Sequence, residues 1–181
     1  MSNNTQLKHE DHKPSNIKLP LNIIAYDISS PQNVGSLFRL CDALAVEKLF
    51  LCGNTAVPPN SKIKKTSRST EKHVSFEQYT NTAELVASLK KSGGFIISLE
   101  ITSASMPIDS AEFSDMIKTK IKNKTPIYLI LGSENSGISK NLLALSDITT
   151  HITMLGNNSS MNVISAASIA CFEIVRNMMV P

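Results

Sequence analysis

Residues 126–137 read PIYLILGSENSG. After the proline come Ile127, Tyr128, Leu129, Ile130 and Leu131, an apolar run without the polar alternation of a half-exposed strand and too short for an ordinary helix. Such a run predicts a strand buried on both faces, as in a parallel sheet covered by helices. Gly132 and Gly137 bracket the loop that follows, so the chain can bend sharply there and be approached closely. Outward from this strand the same grammar repeats. Short apolar segments predict strands over 21–26 (LNIIAY), 48–52 (KLFLC), 73–76, 95–99 (FIISL) and 148–154. Between them lie helical patterns: one opening at Ser30-Pro31 and closing near Ala45, then 81–91, 110–120, 139–146 and 160–178. Ser30 suits an N-cap and Pro31 the first helical position. Residues 53–72 are polar and contain prolines, and they read as a loop. The expected fold class is therefore α/β, a mostly parallel sheet flanked by helices on both faces. In such sheets ligands bind beyond the carboxyl ends of the strands. That singles out the loops after Tyr26, Leu99, Leu131 and Met154.

Composition agrees with one core-forming domain. The chain has 181 residues, 41% of them hydrophobic, and a net charge of +3. This excludes a disordered or collagen-like chain. The division expected is a flexible polar tail over 1–20 and a single domain over 21–181. Cysteines occur only at Cys41, Cys52 and Cys171, an odd number with no C-x-x-C pair. Neither a disulfide framework nor a zinc site is signalled, and reduced, buried thiols suit a cytoplasmic protein. The first twenty residues do not read as a secretory signal, and no apolar run of membrane-spanning length occurs, so no membrane association is expected. The pair His9 and His12 stands without further ligands, so no metal is expected.

Three loop segments carry candidate chemistry. In residues 33–39 (NVGSLFR), at about 100° per residue, Arg39 stands about 140° from Val34, off the apolar stripe. Gly35, one turn earlier on the same side, costs about 1 kcal/mol of helix stability against alanine, which suggests close approach by another group. A plain surface arginine beside an incidental glycine is the alternative on spacing alone. In residues 131–137 the glycines match neither a phosphate loop nor a dinucleotide fingerprint. Glu134 between them is able to accept bonds from a ligand or to order a neighbouring loop, unless the segment is simply a tight turn with a solvated carboxylate. Residues 152–163 (ITMLGNNSSMNV) lead from a strand through a Gly/Asn/Ser loop into the longest helix, whose first N–H groups are free. Ser159 or Ser160 is the expected N-cap, and Ser160 with Asn162 forms a polar pair at the loop mouth. Separately, residues 62–72 (KIKKTSRSTEK) concentrate basic charge at Lys62, Lys64, Lys65 and Arg68, which suits a phosphate backbone or a merely solvated surface. The chain has no Trp and few aromatic residues, so base-stacking platforms are not prominent.

Taken together and in this order, Asn33-x-Gly35-x-x-x-Arg39, Leu131-Gly132-Ser133-Glu134-x-x-Gly137, and Ile152-x-Met154-x-Gly156 with Ser160-Met161-Asn162-Val163 resemble the three motifs of the SpoU-type (TrmH-like) RNA ribose methyltransferases of the SPOUT superfamily. The resemblance spans roughly residues 20–178. It implies a SPOUT-type fold with a C-terminal trefoil knot, S-adenosyl-L-methionine as cofactor, and a homodimer with its active site at the subunit interface. It also implies methyl transfer to a ribose 2′-hydroxyl of tRNA or rRNA, with no DNA substrate expected. By the same resemblance, Asn33, Arg39, Glu134, Ser160 and Asn162 match catalytic positions. Leu99, Gly132, Ile152, Met154, Ser160 and Met161 match the cofactor loops. Arg39 would steady the sugar oxygen, with Asn33, Ser160 and Asn162 orienting it and the ribose.

Two departures stand out. Thr153 replaces the family's usual proline, which implies a less rigid cofactor loop. Ala45 occupies a position often held by glycine at the end of the first helix, and a left-handed alanine there costs about 1 kcal/mol. The competing readings are a catalytically inactive RNA-binding or assembly factor on the same fold, and a generic nucleotide-binding enzyme on an ordinary doubly wound fold.

Overall fold

Strand β1 (Leu19–Tyr26) opens the fold, and from Leu21 to Ala25 every residue is buried. The remaining elements follow as α1 (Pro31–Ala43), β2 (Val46–Cys52), α2 (Ser61–Ser67), β3 (Phe76–Tyr79), α3 (Thr82–Lys91), β4 (Phe95–Leu99), β5 (Met106–Pro107), α4 (Ala111–Lys122), β6 (Ile127–Leu131), α5 (Lys140–Leu145), β7 (Ile148–His151) and α6 (Val163–Met179). The computed structural model describes residues 5–8, 11 and 17–179. The pair His9 and His12 and most of the expected tail lie outside the described residues.

The described strands form one sheet in the order β3-β2-β1-β6-β4-β7-β5, and every pairing is parallel. Alternation along each strand splits the core into two layers. Ile23, Leu49, Ile97 and Leu129 meet α1, α2, α4 and α6 through Phe38, Ile63, Phe113 and Ile174. Ile24, Phe50, Ile96 and Ile130 face the other way, against Leu85 and Val86 of α3 and Leu142 of α5. Helices thus cover both faces, as the apolar strands require. The chain first builds β1, β2 and β3 outward, then crosses to β4. Later, β6 enters between β1 and β4, and β7 between β4 and β5. This interleaving gathers the carboxyl ends of β4, β6 and β7 side by side.

Local chemistry explains the boundaries. Ser30 caps α1 by accepting from the Asn33 amide, with Pro31 next in the chain, as expected. The segment 53–72 is not a plain loop. Asn60 Oδ1 accepts from the amides of Lys62 and Ile63 and starts α2, and a single 3₁₀ turn follows at Thr70–Lys72. Strand β3 starts at Phe76 instead of residue 73, β7 ends at His151 instead of 154, and the two-residue edge strand β5 was not expected. The cap of α6 is neither Ser159 nor Ser160. Asn162 takes that place: its Oδ1 accepts from the Ile164 amide at 2.8 Å and its carbonyl from Ala166 at 3.0 Å. Asn is among the strongest N-caps, so the last of several competing polar residues before the apolar run wins.

Two sequence-level inferences about backbone and thiols hold. Ala45 has φ +53°, the left-handed conformation foreseen at the end of α1. Ala45→Gly is expected to raise stability by about 1 kcal/mol, read as a higher urea midpoint at unchanged slope. All three cysteines are buried and free, and burial pushes the Cys52 and Cys171 thiols up to about 12. No described helix is long and apolar enough to cross a membrane.

Candidate active site

At the carboxyl ends of β4, β6 and β7 the structure opens a cleft of about 900 Å³. Its walls come from three strand-end loops and the start of α6. All six residues expected to contact cofactor line it: Leu99, Gly132, Ile152, Met154, Ser160 and Met161. Leu99 and Leu131 close β4 and β6, side by side in register, so the parallel sheet itself sets one wall. Thr153, at the place where the resembled motif has proline, is exposed beside it.

The candidate catalytic residues divide. Asn33, in the first turn of α1, donates from Nδ2 to Glu134 Oε1 at 2.9 Å. Asn162 Nδ2 reaches Asn33 Oδ1 at 3.5 Å, the long limit of a hydrogen bond. One chain of contacts therefore joins α1, the β6 loop and the cap of α6. Glu134, Ser160 and Asn162 all line the cleft. Glu134 is therefore not merely a solvated turn carboxylate: it ties the β6 loop to the first turn of α1. Arg39 is different. It is exposed on α1, does not line the cleft, and has no hydrogen-bond or ion-pair partner among the described residues. The expectation that Asn33, Ser160 and Asn162 orient Arg39 is not met within one chain: Asn33 bonds Glu134 and Asn162, and none of the three bonds the guanidinium.

The group that approaches Gly35 is helix α2. A Cβ at Gly35 would stand 2.7 Å from the Ile63 carbonyl oxygen and would collide with the Thr66 side chain. Helix α2 presents Lys62, Lys64 and Lys65 as exposed side chains, with Arg68 exposed at its C-cap. The basic segment is thus a short helix seated on the helix that carries Arg39.

Several cleft residues were not singled out in the sequence. Glu100, Ile101, Asn158 and His151 also line it. The bonds around His151 assign its tautomer. Ser105 Oγ donates to the Thr102 carbonyl at 2.8 Å, which uses its only proton. His151 Nδ1, 2.9 Å from Ser105 Oγ, must therefore donate in the neutral ring, leaving Nε2 as an acceptor. Among the described residues that line the cleft, Glu100 and Glu134 are the only Asp, Glu, Lys or Arg side chains.

The family model for the SpoU rRNA methylase family matches residues 20–172 of this chain. The chain belongs to the SpoU rRNA methylase family. It is 29% identical over 164 residues to the 23S rRNA (guanosine-2′-O-)-methyltransferase RlmB of Blochmanniella floridana, covering 91% of this chain and 60% of that one. It is 28% identical over 156 residues to the tRNA (guanosine(18)-2′-O)-methyltransferase of Thermus thermophilus, covering 86% of this chain and 74% of that one. The SpoU methyltransferase AviRb from Streptomyces viridochromogenes, solved in complex with the cofactor AdoMet, superposes with a TM-score of 0.72 at 24% identity, over 86% of this chain and 59% of that chain. This likeness supports the SpoU fold for the present chain. The chain spans 57–60% of the length of several curated relatives.

Proposed function

We propose that this SpoU-family chain transfers a methyl group from S-adenosyl-L-methionine to a ribose 2′-hydroxyl of tRNA or rRNA. One observation carries the reading: six residues drawn from three separate loops line a single cleft, and that cleft adjoins the Asn33–Glu134–Asn162 contacts. The names of the relatives, both RNA 2′-O-methyltransferases, support the same substrate class.

The residues present fit the cofactor. Leu99, Leu131, Ile152, Met154 and Met161 offer apolar walls for a flat base. The carboxylates of Glu100 and Glu134, with no lysine or arginine beside them in the lining, favour a cationic ligand. S-adenosylmethionine, when bound, supplies an electrophilic methyl group on a sulfonium. The protein must then raise the reactivity of a ribose hydroxyl, a weak nucleophile at neutral pH. A guanidinium stays protonated under ordinary conditions, so Arg39 serves as a hydrogen-bonding cation that stabilises charge developing on the sugar oxygen. An RNA phosphate oxygen takes the proton. Asn33 and Asn162 hold Glu134 and the start of α6 in place around the ribose.

A second copy of the chain completes the site. Ile169, Phe172 and Met179 lie on one stripe of α6 and are exposed, as are Ile101 and Leu155. An exposed apolar patch of this kind marks an association surface. A homodimer that covers it brings Arg39 of one protomer toward the cleft of its partner, which accounts for its absence from its own. The order β1-β6-β4-β7-β5 supports a trefoil knot in the C-terminal segment. The basic face of α2 supplies phosphate contacts through Lys62, Lys64, Lys65 and Arg68, and an RNA substrate with free thiols suits a cytoplasmic location.

Titration calorimetry with S-adenosylmethionine tests the reading. Saturable binding near one ligand per chain is expected, weakened when Gly132 is enlarged. Absence of heat at high cofactor concentration, with RNA still bound, would leave the RNA-binding factor as the better account.

A further inference from the structure

Glu100 follows β4 directly and is placed where two cofactor-cleft loops meet. Its Oε1 accepts from the Ile101 amide at 3.0 Å, within its own loop. Its Oε2 accepts from the Ile138 amide at 3.0 Å, thirty-eight residues on, at the far end of the β6 loop. Gly137 sits against the same oxygen: φ is +63°, and a Cβ there would collide with Glu100 Oε2. Inside the β6 loop, Ser133 and Gly137 exchange two backbone bonds of 3.0 and 3.2 Å, which close residues 133–137 into a tight loop. That loop carries Glu134, and its base is tied to β4 by one carboxylate. Both carboxylate oxygens are used as acceptors of backbone N–H groups, an arrangement that an amide side chain cannot reproduce, because its NH₂ would face a donor.

We infer that Glu100 is a positioning residue for cofactor binding: it latches the β6 loop to the end of β4, and so sets the wall of the cleft, while Glu134 keeps its own tie to Asn33. The inference rests on the proposed methyl-transfer reading and names a residue outside the three motifs. A latch of this kind acts on the cofactor side and leaves the basic surface of α2 untouched. Removing it frees the Ile138 amide and loosens residues 132–137 without deleting a buried apolar side chain, since Glu100 is half-buried at a strand end.

Hydrogen exchange and calorimetry on the full chain test this together. In Glu100→Ala, exchange at the Ile138 amide is expected to rise about tenfold or more in the ligand-free protein, while core strands keep their protection. The dissociation constant for S-adenosylmethionine is expected to rise about tenfold, KM for the cofactor likewise, with kcat at saturation changed by less than about threefold. RNA affinity stays at the wild-type value. Glu100→Gln, which keeps one acceptor oxygen and the side-chain volume, gives an intermediate effect and remains readable if the alanine variant folds poorly. Wild-type exchange at Ile138 in both variants would overturn the latch. Faster exchange with unchanged cofactor affinity would overturn its positioning role, as would losses that merely follow a general fall in unfolding midpoint. A wild-type chain that fails to bind S-adenosylmethionine would instead refute the proposed function, and the exchange data would still decide whether the latch exists.

Discussion

Arg39→Ala is expected to lower methyl transfer by about 10²–10³-fold at saturating cofactor and RNA, the scale seen when one donor to a developing oxyanion is removed. The effect should fall on kcat. Arg39 touches neither the cleft nor the Asn33–Glu134–Asn162 contacts. Cofactor affinity should therefore match the wild type, and so should the unfolding midpoint, since the side chain is exposed and unpartnered among the described residues. Arg39→Lys keeps charge but loses the planar fork and should recover only a small part of the rate. Mixing the inactive Arg39→Ala chain with a second inactive chain altered at Glu134 offers a sharper reading. If Arg39 serves the partner's cleft, the mixed dimers recover activity, because each contains one complete site. If Arg39 serves its own cleft, the mixed dimers contain no complete site, and activity stays absent. Near-normal turnover by Arg39→Ala with intact dimers would remove the residue from the chemistry.

Gly35→Ala is expected to destabilise the fold by about 1–3 kcal/mol, the usual cost of inserting a methyl group where the packing has no room. The methyl would meet the Ile63 carbonyl oxygen at 2.7 Å, and backbone cannot move aside as a flexible side-chain end can. The intrinsic helix preference of alanine over glycine favours the variant by about 1 kcal/mol, so the observed loss is what remains after that gain. Because α2 carries Lys62, Lys64 and Lys65, pushing it off α1 should also weaken RNA binding, most visibly at low salt where phosphate contacts count most. Ser36→Ala, one residue along on a half-buried site, serves as the control and should change the urea midpoint little. A Gly35→Ala protein with wild-type midpoint and wild-type RNA affinity would show that α2 is not seated through this contact.

The sequence displays most of the sheet because buried parallel strands are nearly continuous apolar runs. PIYLIL and FIISL become β6 and β4 almost residue for residue. Helix α1 is equally plain, since Ser30, Pro31 and the apolar stripe from Val34 to Cys41 all agree on its start and its inward face. Helix α2 is harder to see. It has seven residues, of which only Ile63 and Ser67 are buried, and its position depends on packing against Gly35, far away in the chain. The cap of α6 is ambiguous for a different reason: Asn157, Asn158, Ser159, Ser160 and Asn162 are all competent, and only the tertiary placement selects one. The motif residues that form the cleft are legible through their family pattern. Glu100 is not, because its significance lies in accepting the Ile138 amide from another loop. A single acidic residue at the end of a buried strand was the one available signal. The insertion of β6 between β1 and β4 likewise has no local signature, being a property of topology and not of any segment.

The central claim is chemical: a cofactor methyl group ends on a ribose oxygen of RNA. The most direct measurement supplies methyl-labelled S-adenosylmethionine and unmodified tRNA and rRNA to the purified chain, then digests the RNA and identifies the labelled nucleoside. The account predicts label in a 2′-O-methylated nucleoside, absent with Arg39→Ala. Label on a base, or no transfer to either RNA pool by a dimer that binds the cofactor, would contradict it.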